Sequence, residues 1–330
     1  MPVRVGILLP TREQAMMGDY AAAPLLDFAR QVEQYAFDSV WTGDSLTARP
    51  RLDPFVVLSA VGAVTSTVRL GTAALTPVLR HPLVGATMAA ALDQVCGSRL
   101  VLGLGAGFPI PESEEEFAAV GVPFSGRAGR LDETAALWRQ AWHTGDVPAE
   151  FMGKHVHTKG LDRLPKPHRP GGPPLWLAGS DTPGVMKRVA RHYDGWLPFL
   201  PSAEQYGRAW QRIERLRAES GRPAGAIVPA LYATLTVQHD EARAKAELED
   251  YTQRYYGRSL ETMSAIQAYG WGNAEQCAGW LSDYVRAGAR HIVIRIGSLD
   301  PGRQLKEIAE TVLPALRRTT ATDTGGGSRS

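Results

Sequence analysis

Short apolar runs alternate with amphipathic stretches along almost the whole chain. The runs are Val3–Leu9, Ser39–Thr42, Val68–Leu75, Leu100–Leu104, Leu175–Ala178, Gly195–Leu200, Ala226–Val237 and His291–Ile296. Each is apolar nearly throughout, as strands buried on both faces are. Between them apolar residues recur three and four apart, for example Leu25, Leu26, Phe28, Ala29, Val32 and Tyr35, and this spacing predicts helices. A short helix is predicted over Glu112–Phe117, a firm one over Gly129–Trp142, and an extra one over Ser259–Tyr269. Residues 151–174 are rich in proline and glycine and read as an excursion containing a hairpin. Eight strand–helix units with no composition shift between halves predict one closed (β/α)8 barrel, an α/β TIM barrel, over residues 1–318, with insertions at the C-terminal face of the strands. A doubly wound open sheet is the competing architecture. Residues 319–330 are rich in Thr, Gly and Ser and are expected to form a disordered tail.

Composition narrows the function. The chain has 330 residues, 44% hydrophobic and 21% charged, with a net charge of +2 and both signs interspersed, so neither nucleic acid nor an anionic membrane is expected as partner. The basic run Arg212, Arg215 and Arg217 reads as a solvated helix face. No run of about eighteen apolar residues is present, so no membrane span is expected. Met1-Pro2-Val3-Arg4 enters a strand directly without a signal-peptide layout, and a cytoplasmic location is the expectation. Cys96 and Cys277 sit in apolar helical contexts and read as small buried hydrophobes rather than a disulfide pair.

Candidate chemistry lies at the strand ends. Gly103-Leu104-Gly105-Ala106-Gly107-Phe108-Pro109 allows close backbone approach to a flat or anionic ligand. A dinucleotide fingerprint would need glycine where Phe108 stands. Gly179-Ser180-Asp181-Thr182 precedes a helix. Ser180 or Thr182 would cap that helix, or its free N–H groups would bind a phosphate. Asp44, in Gly43-Asp44-Ser45, is either a ligand-facing acid or a turn residue. His155 and His157 have an H-x-H spacing but no further ligand cluster, and no metal is expected. His81 is a weaker rim candidate, while His192 and His291 read as structural.

Several segments together resemble the luciferase-like flavin- and deazaflavin-dependent oxidoreductases. They are Phe37–Asp44, Arg69–Leu75 through His81-Pro82, Leu92–Gln94 through Arg99–Gly107, Gly126-Arg127 with Arg130–Glu133, Pro174–Gly179 and Asp194–Trp196. The resemblance implies a flavin or deazaflavin ring across the C-terminal mouth. It implies a bulge at Ala73-Ala74, often with a non-prolyl cis peptide, behind the ring. Gly105, Ala106 and Gly107 would line the cofactor, Gly179 and Ser180 would take its phosphate, and Thr76 and Asp44 would approach ring or substrate, Asp44 being the candidate catalytic residue. Two departures stand out: many members carry histidine where this chain has Ser45, and deazaflavin sugar-phosphate dehydrogenases carry glutamate where it has Phe108.

The leading reading is a two-component monooxygenase. Reduced FMN would arrive from a separate flavin reductase and act with O2 on an apolar or aromatic small molecule. The alternative is hydride transfer with the deazaflavin coenzyme F-420. Remoter readings are a non-catalytic flavin-binding barrel and an unrelated barrel lyase or isomerase. By analogy with relatives, a homodimer is the expected assembly. The substrate would be roofed by Glu112–Val122 and Tyr251–Trp271, where Tyr255, Tyr256, Tyr269 and Trp271 would either stack on a ring or pack the extra helix.

Overall fold

The apolar runs form parallel strands that close into a ring. The computed structural model describes residues 3–325. The first four strands are β1 (Arg4–Leu8), β2 (Ser39–Thr42), β3 (Arg69–Leu75) and β4 (Leu100–Leu104). The excursion holds an antiparallel hairpin, β5 (Glu150–Met152) and β6 (His157–Lys159). The later strands are β7 (Leu175–Ala178), β8 (Gly195–Leu197), β9 (Val228–Val237), β10 (Ala268–Gly272) and β11 (His291–Ile296). The order β11-β1-β2-β3-β4-β7-β8 is completed by β8–β9 and β9–β11 pairing, which makes a closed eight-stranded parallel TIM barrel. The open doubly wound sheet is thereby excluded.

β10 is the element the pattern concealed. The expected helix over Ser259–Tyr269 shrinks to Leu260–Ser264, and Ala268–Gly272 instead pairs in parallel with Ala233–Val237 of β9. The reason is tertiary. β8 pairs with β9 only at Val228 and Pro229, which leaves the same edge of β9 unpaired further along, and Ala268-Tyr269-Gly270-Trp271-Gly272 fills it.

The helices surround the ring: α1 (Thr11–Met16), α2 (Ala22–Gln34), α3 (Pro54–Val64), α4 (Pro82–Val95), α5 (Pro111–Ala119), α6 (Arg127–Ala141), α7 (Pro183–His192), α8 (Ala203–Glu219), α9 (Glu241–Tyr256), α10 (Leu260–Ser264), α11 (Ala274–Arg286), α12 (Pro301–Glu307) and α13 (Leu313–Gly325). α13 runs through the first residues of the expected tail; residues 326–330 lie outside the described residues. Among the described residues no helix is long and apolar enough to cross a membrane. Cys96 and Cys277 are both buried and free.

The barrel interior is a packed plug. Trp41 and Trp176 lie 5.4 Å apart, and the His291 ring meets both edge-on. Glycine makes room for them: a Cβ at Gly71 would stand 2.2 Å from the Trp41 ring. His291 is buried and bonds the Ser39 hydroxyl at 2.9 Å. Burial, reinforced by Arg4 and Arg69, lowers its pKa to about 3. Above this plug, toward the C-terminal ends of the strands, the barrel opens.

Candidate active site

A cavity of about 880 Å³ occupies the C-terminal mouth. Leu197, Ala73, Ala178 and Tyr232 touch both the plug and the cavity, so they form its floor. Asp44, Ala73, Ala74, Thr76, Gly105, Ala106, Gly107, Gly179 and Ser180 all line it. Residues far apart in sequence are thus brought to one hollow.

The β3 side carries the expected irregularity. The Ala73–Ala74 peptide is cis, and the β3–β4 register shifts between Thr72 and Leu75. A Cβ at Gly103 would stand 2.2 Å from the Thr72 carbonyl oxygen, so only glycine lets the two backbones meet. Gly105 N–H then donates to the Leu75 carbonyl at 2.7 Å, closing β4 against the bulge.

Asp44 follows β2, and its side chain is only 1% exposed. Its oxygens accept from both Arg80 terminal nitrogens, at 2.7 and 2.9 Å, and from the Thr76 N–H at 2.9 Å. Arg80 also reaches Asp53 at 2.6 Å. Burial opposes the Arg80 charge, but Asp44 and then Asp53 outweigh it and raise its pKa. Asp44 therefore clamps the segment after β3 to the end of β2.

Ser45, where many relatives carry histidine, has a structural task. Its hydroxyl donates to Glu116 at 2.8 Å and accepts from the Arg49 N–H at 2.8 Å. The same Glu116 oxygen accepts from the N–H groups of Leu46, Thr47 and Ala48 at 2.5–3.2 Å. Glu116, buried on α5, thus pins the loop that carries Arg49 and Arg51 to the cavity. No residue of the expected Glu112–Val122 roof lines this cavity; Phe108 and Pro109, just before α5, do so instead. A carboxylate facing four donors in a distant loop has no sequence signature, which is why Glu116 escaped notice.

At the β7–α7 turn neither Ser180 nor Thr182 caps the helix with its side chain. The first turn of α7 holds no acid, and Ser180, Asp181, Thr182 and Val185 at this end of the helix line the cavity. Arg127 and Arg188 line the same side; Arg188 pairs with Asp132 at 2.6 Å, while Arg127 stacks on Phe124. Phe108 and Phe199 lie 6.1 Å apart on the cavity wall.

The feature sequence reading missed is Arg295, near the C-terminal end of β11. It is 2% exposed. Its guanidinium donates to Thr234, to Tyr269 at 2.9 Å and to Tyr256. Of the aromatics flagged in the sequence, Tyr255 and Tyr256 line the cavity, whereas Tyr269 lies behind Arg295 and Trp271 packs with the extra elements. The signal was Arg295 itself, the one charge inside an otherwise apolar β-strand run.

The histidines lie elsewhere. His81 caps α4, and His155 and His157 line a separate cavity of about 340 Å³. Among the described residues no group of three metal-ligating side chains exists.

The barrel thus carries a bulged third strand, a helix end without a side-chain cap and a mouth lined by five arginines at the C-terminal ends of its strands. Residues 3–291 match the luciferase-like monooxygenase family. The chain belongs to that family, whose members are flavin- and deazaflavin-dependent oxidoreductases. It is 29% identical to an F420-dependent glucose-6-phosphate dehydrogenase of Kineococcus radiotolerans, over 92% of this chain and 96% of the relative. Its fold is similar to that of an F420-dependent secondary alcohol dehydrogenase (TM-score 0.79, 19% identity, 96% and 99% of the two chains). It is also similar to that of a monooxygenase from Streptomyces bottropensis (TM-score 0.77, 21% identity, 94% and 99%).

Proposed function

We propose that the protein is a deazaflavin-dependent oxidoreductase acting on a small molecule at the barrel mouth. The observation that carries this reading is the Arg127 guanidinium, which has no ion pair among the described residues and donates only to the Gly107 carbonyl, on the same cavity wall as the uncapped α7 N-terminus. A helix end suffices for one phosphate. A further cation next to it suits a cofactor whose tail carries additional anionic groups, as coenzyme F-420 does and FMN does not. The Kineococcus relative, which aligns along nearly the whole chain, supports the same choice.

The residues present fit such a group. Ala73 and Ala74 line the mouth at the β3 bulge, Gly105 and Gly107 leave space, and Gly179 and Ser180 sit at the helix end. Bound there, a deazaflavin supplies hydride transfer to or from a substrate carbon. The chain's part is to bind, orient and exclude water. Phe108 and Phe199 present apolar surface beside the substrate space. Tyr232 lines the floor; its backbone N–H donates to the Pro198 carbonyl, while its hydroxyl has no protein hydrogen-bond partner among the described residues. Burial, only partly offset by Arg295, raises its pKa, so it keeps its proton available to a substrate oxygen.

A second reading, oxygenation with reduced FMN delivered by a separate reductase, is favoured by the Phe108–Phe199 wall, which would keep a reactive oxygen species dry. Fluorescence titration of the purified protein with coenzyme F-420 and FMN, side by side, separates the two. The expected result is binding of the deazaflavin at least about ten-fold tighter, worth about 1.4 kcal/mol. Tighter binding of FMN, with oxygen consumed when reduced FMN is supplied, would overturn the proposal in favour of the monooxygenase.

A further inference from the structure

Five arginines line the main cavity, and they fall into two groups. Arg127 and Arg188 stand with the α7 helix end on the β4–β7 side. Arg49, Arg51 and Arg295 stand with the β2 loop and β11, on the β11–β1–β2 side of the ring. The first group is accounted for by a cofactor tail. The second is not.

This second group has an excess of positive charge. Neither Arg49, Arg51 nor Arg295, nor Arg12 behind them, has an ion pair among the described residues. Two adjacent tyrosine rings hold them together. The Tyr255 ring lies 4.8 Å from the Arg295 guanidinium carbon and 6.0 Å from that of Arg12. The Tyr256 ring lies 5.1 Å from that of Arg295 and 5.0 Å from that of Arg49. The one carboxylate in the cluster, Glu13 of α1, is buried, already accepts from Tyr251 at 2.5 Å, and does not line the cavity. Ring faces attract cations without neutralising them. A buried guanidinium without a counter-charge is unfavourable, and it is retained where a ligand supplies the missing charge.

The hydroxyls add to the case. Tyr256 accepts from Arg295, and Tyr255 accepts from Arg51 at 3.4 Å. A phenol whose oxygen accepts from a guanidinium still has its own proton to donate. Both tyrosines line the cavity, so two O–H donors accompany the cations there.

We propose that Arg51 and Arg295, with Tyr255 and Tyr256, bind an oxyanion group of the substrate, a carboxylate or a phosphate, on the side of the mouth opposite the cofactor's phosphate. The proposal rests on the oxidoreductase reading only in assigning the β4–β7 side to the cofactor. It replaces the apolar substrate expected from Phe108 with one that is apolar in part and anionic at one end.

The test is calorimetric titration of the cofactor-free protein with benzoate, with inorganic phosphate and with neutral benzamide, at constant ionic strength. Saturable binding of benzoate or of phosphate, at least ten-fold tighter than benzamide, is expected, and the tighter of the two names the group. Arg295→Gln should weaken that binding ten-fold or more. Because Arg295 is buried and its replacement is liable to unfold the barrel, Arg51→Gln and Tyr256→Phe are made in parallel and should weaken it in the same direction. Deazaflavin binding should change less than two-fold in Arg51→Gln and Tyr256→Phe, the two variants on which the comparison with the cofactor rests. Anion binding without any deazaflavin binding would leave this proposal standing and remove the cofactor assignment. Equal affinity for benzamide and both anions would overturn it. So would loss of deazaflavin binding in step with anion binding, since the guanidinium would then belong to the cofactor.

Discussion

The Asp44 carboxylate grips the Arg80 guanidinium with both oxygens, at 2.7 and 2.9 Å, from opposite ends of the segments that follow β2 and β3. The residue that sequence analysis singled out as catalytic thus lines the cavity with both carboxylate oxygens already accepting from the protein itself. Asp44→Ala would leave Arg80 with Asp53 alone and strip an acceptor from Thr76. Removing one partner of a largely buried pair costs about 3 kcal/mol. Denaturant unfolding should show a destabilisation of that order, with any loss of activity appearing alongside it. An unchanged midpoint together with a large fall in kcat would instead return Asp44 to the chemistry.

Ser180 lies at the end of α7 that no side chain caps. Ser180→Asp would put a negative charge where a cofactor phosphate would sit. Two like charges about 4 Å apart cost about 1 kcal/mol in water and about 4 near a protein surface, or about five-fold to several hundred-fold in affinity. Ser220→Asp, at the far end of α8, serves as control. Undiminished binding of both candidate cofactors by Ser180→Asp would exclude this turn as the phosphate site.

Glu116 gathers Ser45 and three successive N–H groups onto one oxygen. Without it the loop bearing Arg51 should open more often. Trypsin cleavage after Arg51 should be about ten-fold faster in Glu116→Ala, which corresponds to about 1.4 kcal/mol of lost protection. Ser45→Ala, which removes one of the four donors, should accelerate it less. Equal cleavage rates in all three proteins would mean that the loop is held by other contacts.

His291 is neutral in the fold, its pKa lowered by burial from 6.5 to about 3. The unfolded chain takes up the proton at about pH 6.5, so between that pH and about 3 the unfolded state binds more protons than the folded one. Stability should therefore fall by about 1.4 kcal/mol for each pH unit below 6.5, and this contribution should be flat above it. His291→Gln should remove that slope while the carboxylate contributions remain. Parallel stability profiles for wild type and variant between pH 6.5 and 4 would show that His291 takes its proton in the folded state.

The barrel was legible because its signal is local. A strand buried on both faces must be apolar throughout, and a helix packed on it must carry an apolar stripe, whatever else the chain does. The positions of the cavity-lining turns followed from the same rule, since loops after parallel strands gather at one end. Partnership between distant residues was not legible. Ser45 and Glu116 are 71 residues apart, and Glu13 and Tyr251 are 238 apart, and nothing in either neighbourhood announces the other. β10 was hidden for a related reason: its five residues become a strand only because β8 stops short and leaves an edge of β9 unpaired. Arg295 stood in plain view inside an apolar strand, but its surroundings came from α9, β9 and β10. Secondary structure answers to spacing along the chain, whereas the charge balance of a cavity is set by which elements the closed ring brings face to face.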